Sequence, residues 1–294
     1  MLPLFAARGD AQRTRNALRD SRSRIDTAFA FDRRGTVTVT AGSGDIIVTG
    51  STDAQVRIHA SSDNDNLRLD VSANTVALEL TGNRTHGDSR FEVSVPQGVR
   101  VIARAQSGDV SIRGTKGEVE IHAQSGDVQL DDVVNRLDVT TLSGDIKARA
   151  IAGDVSIDAL SGSIDLTDVK GAISVQTTSG DIDLRGVASK VVRAKTTSGD
   201  VTYEGVVDPA GHYELTSHSG DVRLAIPRDA SAQLSVKTWS GDIESDFPIT
   251  LRPGEHGIGS STAKSYTFEI GGGGARITAE TFSGDINIRR AGSR

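Results

Sequence analysis

The sequence contains no cysteine, which excludes disulfide bonds, thiolate nucleophiles and zinc sites with thiolate ligands. Aromatic residues are scarce, at 4% of the chain, and narrow coils with tight corners accommodate this better than a broad globular core. Only 6 prolines occur, and none lies between Ser107 and Ala188, so strands can run there without interruption. No apolar run is long enough to predict a membrane-spanning helix. These absences favour a thin, regular fold.

The charge and the motifs of the chain exclude further classes of function. The formal net charge is −6 at pH 7, so we expect no general affinity for nucleic acid, which basic surfaces recognise. The 6 histidines are scattered, no serine lies in a Gly-x-Ser-x-Gly elbow, and no phosphate-loop lysine follows the glycines at 271–274. We therefore predict neither an enzyme nor a bound cofactor.

Many of the 32 glycines belong to a Ser-Gly-Asp tripeptide that recurs along the chain. Copies begin at Ser43, Ser107, Ser125, Ser143, Ser179, Ser198, Ser219, Ser240 and Ser283, and a Ser-Gly-Ser variant begins at Ser161. The copies are 18 residues apart from Ser107 to Ser179, and the next intervals are 19, 21 and 21. A nearly constant period of this length is typical of a stacked repeat protein.

Within the regular region the repeat divides into blocks of nine residues. Each block has a turn tripeptide followed by apolar residues at alternate positions, such as Val128 and Leu130. Alternation with a period of two predicts a β-strand, because successive side chains point to opposite faces. The sequence therefore predicts an all-β protein, a β-helix or β-solenoid with coils of about 18–21 residues built from nonapeptide Ser-Gly-Asp half-repeats.

Stacked coils bring equivalent residues together in columns, about 4.8 Å apart. One predicted column is aliphatic and should line the interior: Val110, Val128, Ile146, Ile164, Ile182, Val201 and Val222. A second predicted column is polar: Thr141, Thr177, Thr196, Ser217, Thr238 and Thr281. Neither the handedness of the coil nor the number of strand faces follows from the pattern.

Changes in regularity predict four regions. Residues 1–24 form a leader, interpreted as a truncated signal peptide followed by a basic linker, with a disordered leader as the alternative. Residues 25–106 form irregular N-terminal β coils and a cap, and residues 107–246 form the regular solenoid. Residues 247–294 form an excursion and a closing coil. Irregular ends are expected, because terminal coils must cover the exposed core.

The chain resembles the DUF4097 family of bacterial β-strand-repeat proteins, which are often labelled adhesins. The resemblance covers roughly residues 25–290 and is carried by Val95-Pro-Gln-Gly-Val-Arg-Val101 before the first regular copy, the tandem Ser-Gly-Asp coils, and Phe282-Ser-Gly-Asp-Ile286. It implies an exported or envelope-associated β-helical protein, and it implies no catalytic residue. The Ser163 variant of the tripeptide departs from the family's pattern.

The aspartates of the repeated tripeptide should form a column along one edge. These residues are Asp109, Asp127, Asp145, Asp181, Asp200, Asp221, Asp242 and Asp285. We expect each carboxylate to cap backbone N–H groups of its own turn. Divalent cations bound along the edge are the alternative, because closely spaced carboxylates repel one another unless bridged or screened. A calcium-dependent folding switch like that of RTX β-rolls fits less well, because the turn here is too short.

The residues immediately before the tripeptide form a further column, which becomes aromatic toward its C-terminal members. This column comprises Leu142, Leu160, Thr178, Thr197, His218, Trp239 and Phe282. If it faces outward, His218, Trp239 and Phe282 could stack on sugar rings or anchor a protein partner. If it lies at a corner, the same side chains pack beneath the excursion at residues 247–275.

We predict a non-enzymatic, exported β-helical protein that presents a repetitive surface, an adhesin or a recognition module of the cell envelope. The expected partner is a protein or a glycan, and the expected location is the periplasm, the outer envelope or the cell surface. The alternative is a periplasmic structural or envelope-stress regulatory module that self-associates through its coil edges, because unpaired strand edges invite further strands.

Overall fold

The computed structural model describes residues 23–63, 66–81, 89–248 and 264–292. The predicted leader up to residue 22 and the centre of the predicted C-terminal excursion lie outside these residues. No helix occurs among the described residues, so none there could span a membrane. The predicted all-β class is confirmed.

The first sixteen strands lie between Arg24 and Ser179. They are β1 (Arg24–Ala30), β2 (Thr36–Ser43), β3 (Asp45–Ser51), β4 (Gln55–Ser62), β5 (Asn66–Val71), β6 (Thr75–Thr81), β7 (Ser89–Pro96), β8 (Arg100–Ser107), β9 (Val110–Arg113), β10 (Val119–Ser125), β11 (Val128–Val134), β12 (Leu137–Ser143), β13 (Ile146–Ala152), β14 (Val155–Ser161), β15 (Ile164–Lys170) and β16 (Ile173–Ser179).

The remaining strands are longer at first and then irregular. They are β17 (Ile182–Ser198), β18 (Val201–Ser219), β19 (Val222–Ile226), β20 (Ala232–Ser240), β21 (Ile243–Ser245), β22 (Lys264–Ile270), β23 (Ala275–Ser283) and β24 (Ile286–Arg290). β17 and β18 each run through both strand positions of their coil, and their mutual register shifts between Arg185 and Val187 and between Ser189 and Val191.

The strand pairings form two stacks, to which each coil contributes one strand position. The front stack runs in the order β5, β6, β2, β8, β10, β12, β14, β16, second half of β17, second half of β18, β23, β20, β22. The back stack runs in the order β1, β4, β7, β3, β9, β11, β13, β15, first half of β17, first half of β18, β19, β24, β21. The solenoid therefore has two principal strand faces.

The interior of the solenoid consists of the predicted columns. Every member of the aliphatic column is at most 1% exposed, and Val128 lies opposite Val110 and Ile146 in register. The threonine and serine column is also buried, and its hydroxyls donate hydrogen bonds to turn carbonyls, as Thr196 does to Gly180 at 3.0 Å. Full burial of one valine or isoleucine stabilises the fold by about 1.5–3 kcal/mol. Both predicted columns are confirmed.

The Ser-Gly-Asp turns lie directly on one another, backbone against backbone. Gly144 has φ +121°, in the left-handed region that side chains with a Cβ rarely adopt. A Cβ at this position would lie 2.1 Å from the carbonyl oxygen of Gly126 in the adjacent coil. Glycine is therefore required twice at this position, by the backbone conformation and by the close approach of the next turn.

The back strands of the regular coils contain a kink that the repeat pattern does not reveal. Asp132, Ala150 and Asp168 have φ between 54° and 57°, and Gly186 has φ 63° at the equivalent position. Each kink places two successive residues outside the core and returns the following aliphatic residue to it, as with Val133 at 0% exposure. The kink closes the coil around its interior.

Two tyrosines fill the wider coil where the repeat lengthens. Tyr203 and Tyr213 are each 1% exposed, and their rings meet edge to face with centroids 5.5 Å apart. The Tyr203 hydroxyl donates to the carbonyl of Val206 at 2.9 Å, and the Tyr213 hydroxyl donates to the carbonyl of Ser189 at 2.8 Å. The Tyr213 hydroxyl also accepts from the N–H of Asp208 at 2.8 Å. Both hydroxyls therefore hold the additional residues of their own coil, and that of Tyr213 also ties this coil to the preceding one.

The C-terminal coil is not at the end of the stack. β23 pairs with β18 on one side and with β20 on the other, and β24 lies likewise between β19 and β21. The last coil in sequence is therefore inserted between the two coils that precede it. Antiparallel strands cover the ends: β5 on β6, β4 on β7, and β22 on β20.

We expect Gly144→Ala to lower the free energy of unfolding by at least about 2 kcal/mol, because it adds a Cβ both to a left-handed residue and to a tight backbone contact. Chemical denaturation followed by circular dichroism measures this. Gly42→Ala is the matched control, because Gly42 lies outside the left-handed region and its Cβ would meet nothing nearer than 3.9 Å. Equal losses in the two variants would contradict the turn-stacking explanation.

Candidate functional site

The aromatic residues of the column that precedes the tripeptide lie together on the outer surface of the front stack. The register pairs Ser217 with Thr281 and Thr281 with Thr238, so the next residues are also neighbours. The order in space is therefore His218, Phe282, Trp239, whereas in the sequence Trp239 comes second. Insertion of the last coil makes these three residues, called the aromatic row below, contiguous.

The rings of the aromatic row contact one another. His218 and Phe282 are stacked, with centroids 4.9 Å apart and an interplanar angle of 15°. Phe282 and Trp239 are 5.7 Å apart and tilted by 30°. The Nζ of Lys237 lies 3.9 Å from the centroid of the Trp239 ring, in a cation–π contact. Each ring is thus held in place by a neighbour on the same surface.

The aromatic row is open to solvent. Trp239 is 36% exposed and Phe282 is 48% exposed, although aromatic side chains are usually buried. The same column continues as exposed apolar surface at Leu142 and Leu160, which are 52% and 54% exposed. Of the two interpretations of this column, the outward-facing one agrees with the described residues. Much of the excursion proposed to cover it lies outside them.

The stacking within the row determines which ring surfaces can meet a partner. A nearly parallel pair such as His218 and Phe282 covers one face of each ring, and Lys237 lies over a face of Trp239. The accessible surface therefore consists largely of ring edges and of one cation. Ring edges carry the positive part of the aromatic quadrupole and pack well against apolar or aromatic groups.

The aspartate column beside the row forms a hydrogen-bond ladder between coils. The backbone N–H of Asp127 donates to Oδ1 of Asp109 at 2.9 Å, and that of Asp145 donates to Oδ1 of Asp127 at 2.9 Å. Equivalent bonds of 2.8–3.1 Å join six further pairs of adjacent turns, and they follow the spatial order through Asp221, Asp285 and Asp242. Ser163 has no carboxylate to continue the ladder to the turn of Asp181. The expectation that each carboxylate caps its own turn is wrong, because the donor belongs to the next coil.

Each ladder bond uses one carboxylate oxygen of the accepting aspartate, whereas Asp242, at the end of the stack, receives Lys264 instead. Within the described residues, no group of three or more histidine, aspartate or glutamate side chains has an arrangement that could hold a metal ion. Divalent cations along Asp109, Asp127, Asp145, Asp181, Asp200, Asp221 and Asp242 therefore stay a prediction. The chain itself supplies cations at part of the column.

Arg223 bridges two members of the column. Its guanidinium nitrogens lie 2.6 Å from Oδ2 of Asp200 and 2.6 Å from Oδ2 of Asp221. Partial burial opposes ionisation of Asp200, but hydrogen bonds from Arg223 and from the backbone of Asp221, with the charge of Arg223, outweigh it. The pKa of Asp200 consequently lies below its ordinary value. At the end of the stack a hydrogen bond from Lys264 likewise lowers the pKa of Asp242.

Sequence reasoning did not find Arg223, although a signal was present. Arg223 lies two residues after Asp221, and residues two apart in a strand share a face. The stacking of the coils then brings the same guanidinium to Asp200. To predict an ion pair between coils one must know which coils are adjacent. The repeat supplies this information wherever coils that are consecutive in sequence are also adjacent in space.

Comparison with known families gives a match over most of the chain. The family model described as Toastrack DUF4097 matches residues 35–289. No curated protein matches the chain.

Several solved structures are similar in outline and distant in sequence. A "putative adhesin" from Parabacteroides distasonis is 15% identical, with a TM-score of 0.48 over 90% of this chain and 96% of that one. A "putative adhesin" from Parabacteroides merdae is 17% identical, with a TM-score of 0.46 over 70% of this chain and 90% of that one. A "putative cell adhesion protein" from Clostridium sporogenes is 12% identical, with a TM-score of 0.24 over 91% and 99% of the two chains.

Two replacements of one ladder aspartate distinguish the effect of its hydrogen bond on stability from the effect of its charge. We expect Asp127→Ala to lower the free energy of unfolding by about 1 kcal/mol, because the N–H of Asp145 loses its acceptor. Asp127→Asn retains an Oδ1 acceptor and should lose less, as measured by urea denaturation. Conversely, Ser163→Asp supplies the carboxylate missing from this column and should stabilise the fold. Equal losses in both Asp127 variants would contradict the ladder.

Acidification should remove the contribution of the Arg223–Asp200 ion pair to the free energy of unfolding. A lowered pKa of Asp200 stabilises the fold above the unfolded value of about 3.9 and ceases to do so as the pH falls through the folded value. We expect Arg223→Gln to cost at most about 1 kcal/mol at pH 7, because the pair is partly exposed, and almost nothing at pH 2. Denaturation at both pH values measures this. Lys195→Gln is the control, since Lys195 is exposed on the other stack, and an undiminished cost at pH 2 would contradict the assignment.

Proposed function

The chain belongs to the DUF4097 Toastrack family, and we propose that it is a non-enzymatic binding protein of the cell envelope whose aromatic row anchors a partner. The observation that supports this most directly is the contiguous exposure of His218, Phe282 and Trp239 on a rigid surface. Tryptophan and other large side chains dominate binding energy at protein interfaces.

The scaffold lowers the entropic cost of binding at the row. Each ring projects from a strand that is hydrogen-bonded to neighbouring coils, and adjacent rings restrict one another. Side chains that are ordered before binding lose less conformational entropy when a partner docks. The row therefore has the two properties of an anchor, a large apolar contact area and preorganisation.

A protein partner fits the row better than a sugar ring does. Stacking on a sugar needs a free ring face, whereas Phe282 lies between two rings, Trp239 contacts Phe282 and Lys237, and one face of His218 is covered by Phe282. Ring edges flanked by Lys237 suit apolar side chains with a carboxylate nearby. We therefore propose that the row anchors a protein, and a glycan bound at the row is the outcome that the test must distinguish.

Non-enzymatic action is supported by the way the carboxylates are used. The aspartates of the tripeptide recur with the repeat and accept structural hydrogen bonds from the next coil, as Asp109 does from Asp127. A catalytic carboxylate is instead distinguished from its neighbours by its environment. The shifts found at Asp200 and Asp242 come from ion pairs with Arg223 and Lys264 and belong to the architecture.

The alternative of self-association through coil edges has weaker support from the geometry. Antiparallel strands interrupt the parallel ladder at both ends of the front stack and at the N-terminal end of the back stack. A second copy could not extend the parallel coils at those ends. A second copy would have to pair with the outer edge of β1, β5 or β22 instead.

The proposal includes export, and protease treatment of intact cells that express the full-length gene tests it. Loss of the protein from intact cells would agree with a surface role in recognition. Protection until the outer envelope is opened would favour the periplasmic alternative and would direct the search toward periplasmic protein partners. Retention in the cytoplasm after fractionation would contradict the proposal in both forms.

Trp239 is the only tryptophan in the chain, so its fluorescence reports on the row directly. Among immobilised matrix proteins and glycans, we expect at least one matrix protein to bind the chain and shift this fluorescence. Phe282→Ala should then weaken that binding at least about 30-fold, the equivalent of a hot-spot loss of about 2 kcal/mol.

Leu142→Ala is the matched control, because Leu142 is an exposed apolar residue of the same column on a distant coil. It should change the affinity by less than about twofold. Equal effects of Phe282→Ala and Leu142→Ala, or binding by glycans alone, would contradict the proposed role of the row.

A further inference from the structure

The outer surface of the back stack has a hollow of about 440 Å³ that is rich in cations. Its polar lining comes from five successive coils, and its floor reaches Leu130 and Ala148. The charged residues that line it are Arg113, Asp131, Lys147, Arg149, Asp165 and Arg185. Four cations thus face two carboxylates on a chain whose overall charge is −6.

Most of these cations are not neutralised by the protein. Arg185 lies 3.1 Å from Asp183 and 3.9 Å from Asp165. Arg113, Lys147 and Arg149 are exposed and, among the described residues, make no side-chain ion pair or hydrogen bond. Unpaired guanidinium groups on a fixed surface are ready to receive carboxylate, sulfate or phosphate groups, which they bind in bidentate geometry.

The arginines occur on alternate coils of one column. The register places Asp131 between Arg113 and Arg149, and Thr167 between Arg149 and Arg185. Adjacent strands are about 4.8 Å apart, so successive arginines are about 10 Å apart along the stack. Lys147 lies two residues before Arg149 on the same face and widens the central cationic position.

We propose that this surface, called the arginine column below, binds an extended acidic glycan that carries a carboxylate on every second sugar. One sugar of an extended chain advances by roughly the spacing of one coil, so alternate sugars reach alternate arginines. The uncharged sugars then lie over Asp131 and Thr167, whose side-chain oxygen atoms can accept hydrogen bonds from sugar hydroxyls. This inference does not rest on the proposed function, because the aromatic row lies on the other stack.

A nucleic acid fits the same column less well. Each strand of a duplex carries a phosphate for about every 3.4 Å of helix axis, so some phosphates would lie against Asp131 and Asp165. Like charges at such positions oppose binding. The alternation of arginine with uncharged or acidic residues therefore favours a polyanion of lower charge density.

Calorimetric titration of the full chain with hyaluronan oligosaccharides, which carry a carboxylate on every second sugar, tests the proposal. We expect binding that weakens as salt is raised, because exposed charges are screened over about 8 Å at physiological ionic strength. Arg149→Gln should weaken the binding about tenfold, through loss of a charge-assisted contact. Asp131→Asn should leave the affinity unchanged or increase it.

Lys195→Gln is the charge-matched control, because Lys195 is exposed on the front stack, and it should change the affinity by less than about twofold. Single-stranded DNA and polygalacturonate, which is charged on every sugar, are the competing probes. Tighter binding of hyaluronan than of either probe, with loss in Arg149→Gln alone, would support the proposal.

Absence of hyaluronan binding at low salt would overturn the proposal, as would equal losses in Arg149→Gln and Lys195→Gln. So would binding of DNA or polygalacturonate that is at least as tight and depends equally on Arg149. The variant Trp239→Ala distinguishes binding at the aromatic row from binding at the arginine column. If this variant abolished hyaluronan binding, the glycan would be bound at the aromatic row and not at the arginine column.

Discussion

The contact on which the rest of the structure depends is that of one Ser-Gly-Asp turn on the next. Glycine allows the backbones to meet, and the aspartate carboxylate receives an N–H from the following turn, as between Asp109 and Asp127. This contact fixes the rotation of each coil relative to its neighbour and thereby the register of both stacks. The buried columns follow from it, because a shift of one residue would turn each strand inside out.

The fixed register has a consequence for the surface as well. Whatever side chain occupies an outward position of a coil is presented at a constant distance from its counterparts above and below. The three rings of the aromatic row stack for this reason, and the arginines of the back stack are evenly spaced for the same reason. A solenoid of this kind can vary its binding chemistry column by column without altering its core, since exposed positions contribute little to stability.

Much of the fold was predictable from the sequence, because period and alternation are local signals. The repeat alone predicts an interior aliphatic column that includes Val128 and a polar column that includes Thr196; Val128 is buried as expected, and the burial of Thr196 is an addition from the structure. The target of the aspartate carboxylates was not predictable, since a side chain that reaches its own turn and one that reaches the next coil produce the same sequence. The order of the aromatic row was hidden because the insertion of β23 between β18 and β20 depends on pairing between residues far apart in sequence. The arginine column was missed because alternate arginines in exposed positions resemble an ordinary solvated face.

The inserted coil also bears on how the chain assembles during synthesis. Domains generally begin to fold from the N-terminus while the remainder is still being made. When β20 leaves the ribosome, the position beside β18 is the one that β23 finally occupies, and β23 does not yet exist. The second half of β18 must therefore stay unpaired on that side until residues 275–290 emerge, or must first pair with β20 and then release it. Until then this unpaired strand edge is the part of the nascent chain to which a chaperone or a wrong strand could bind most readily.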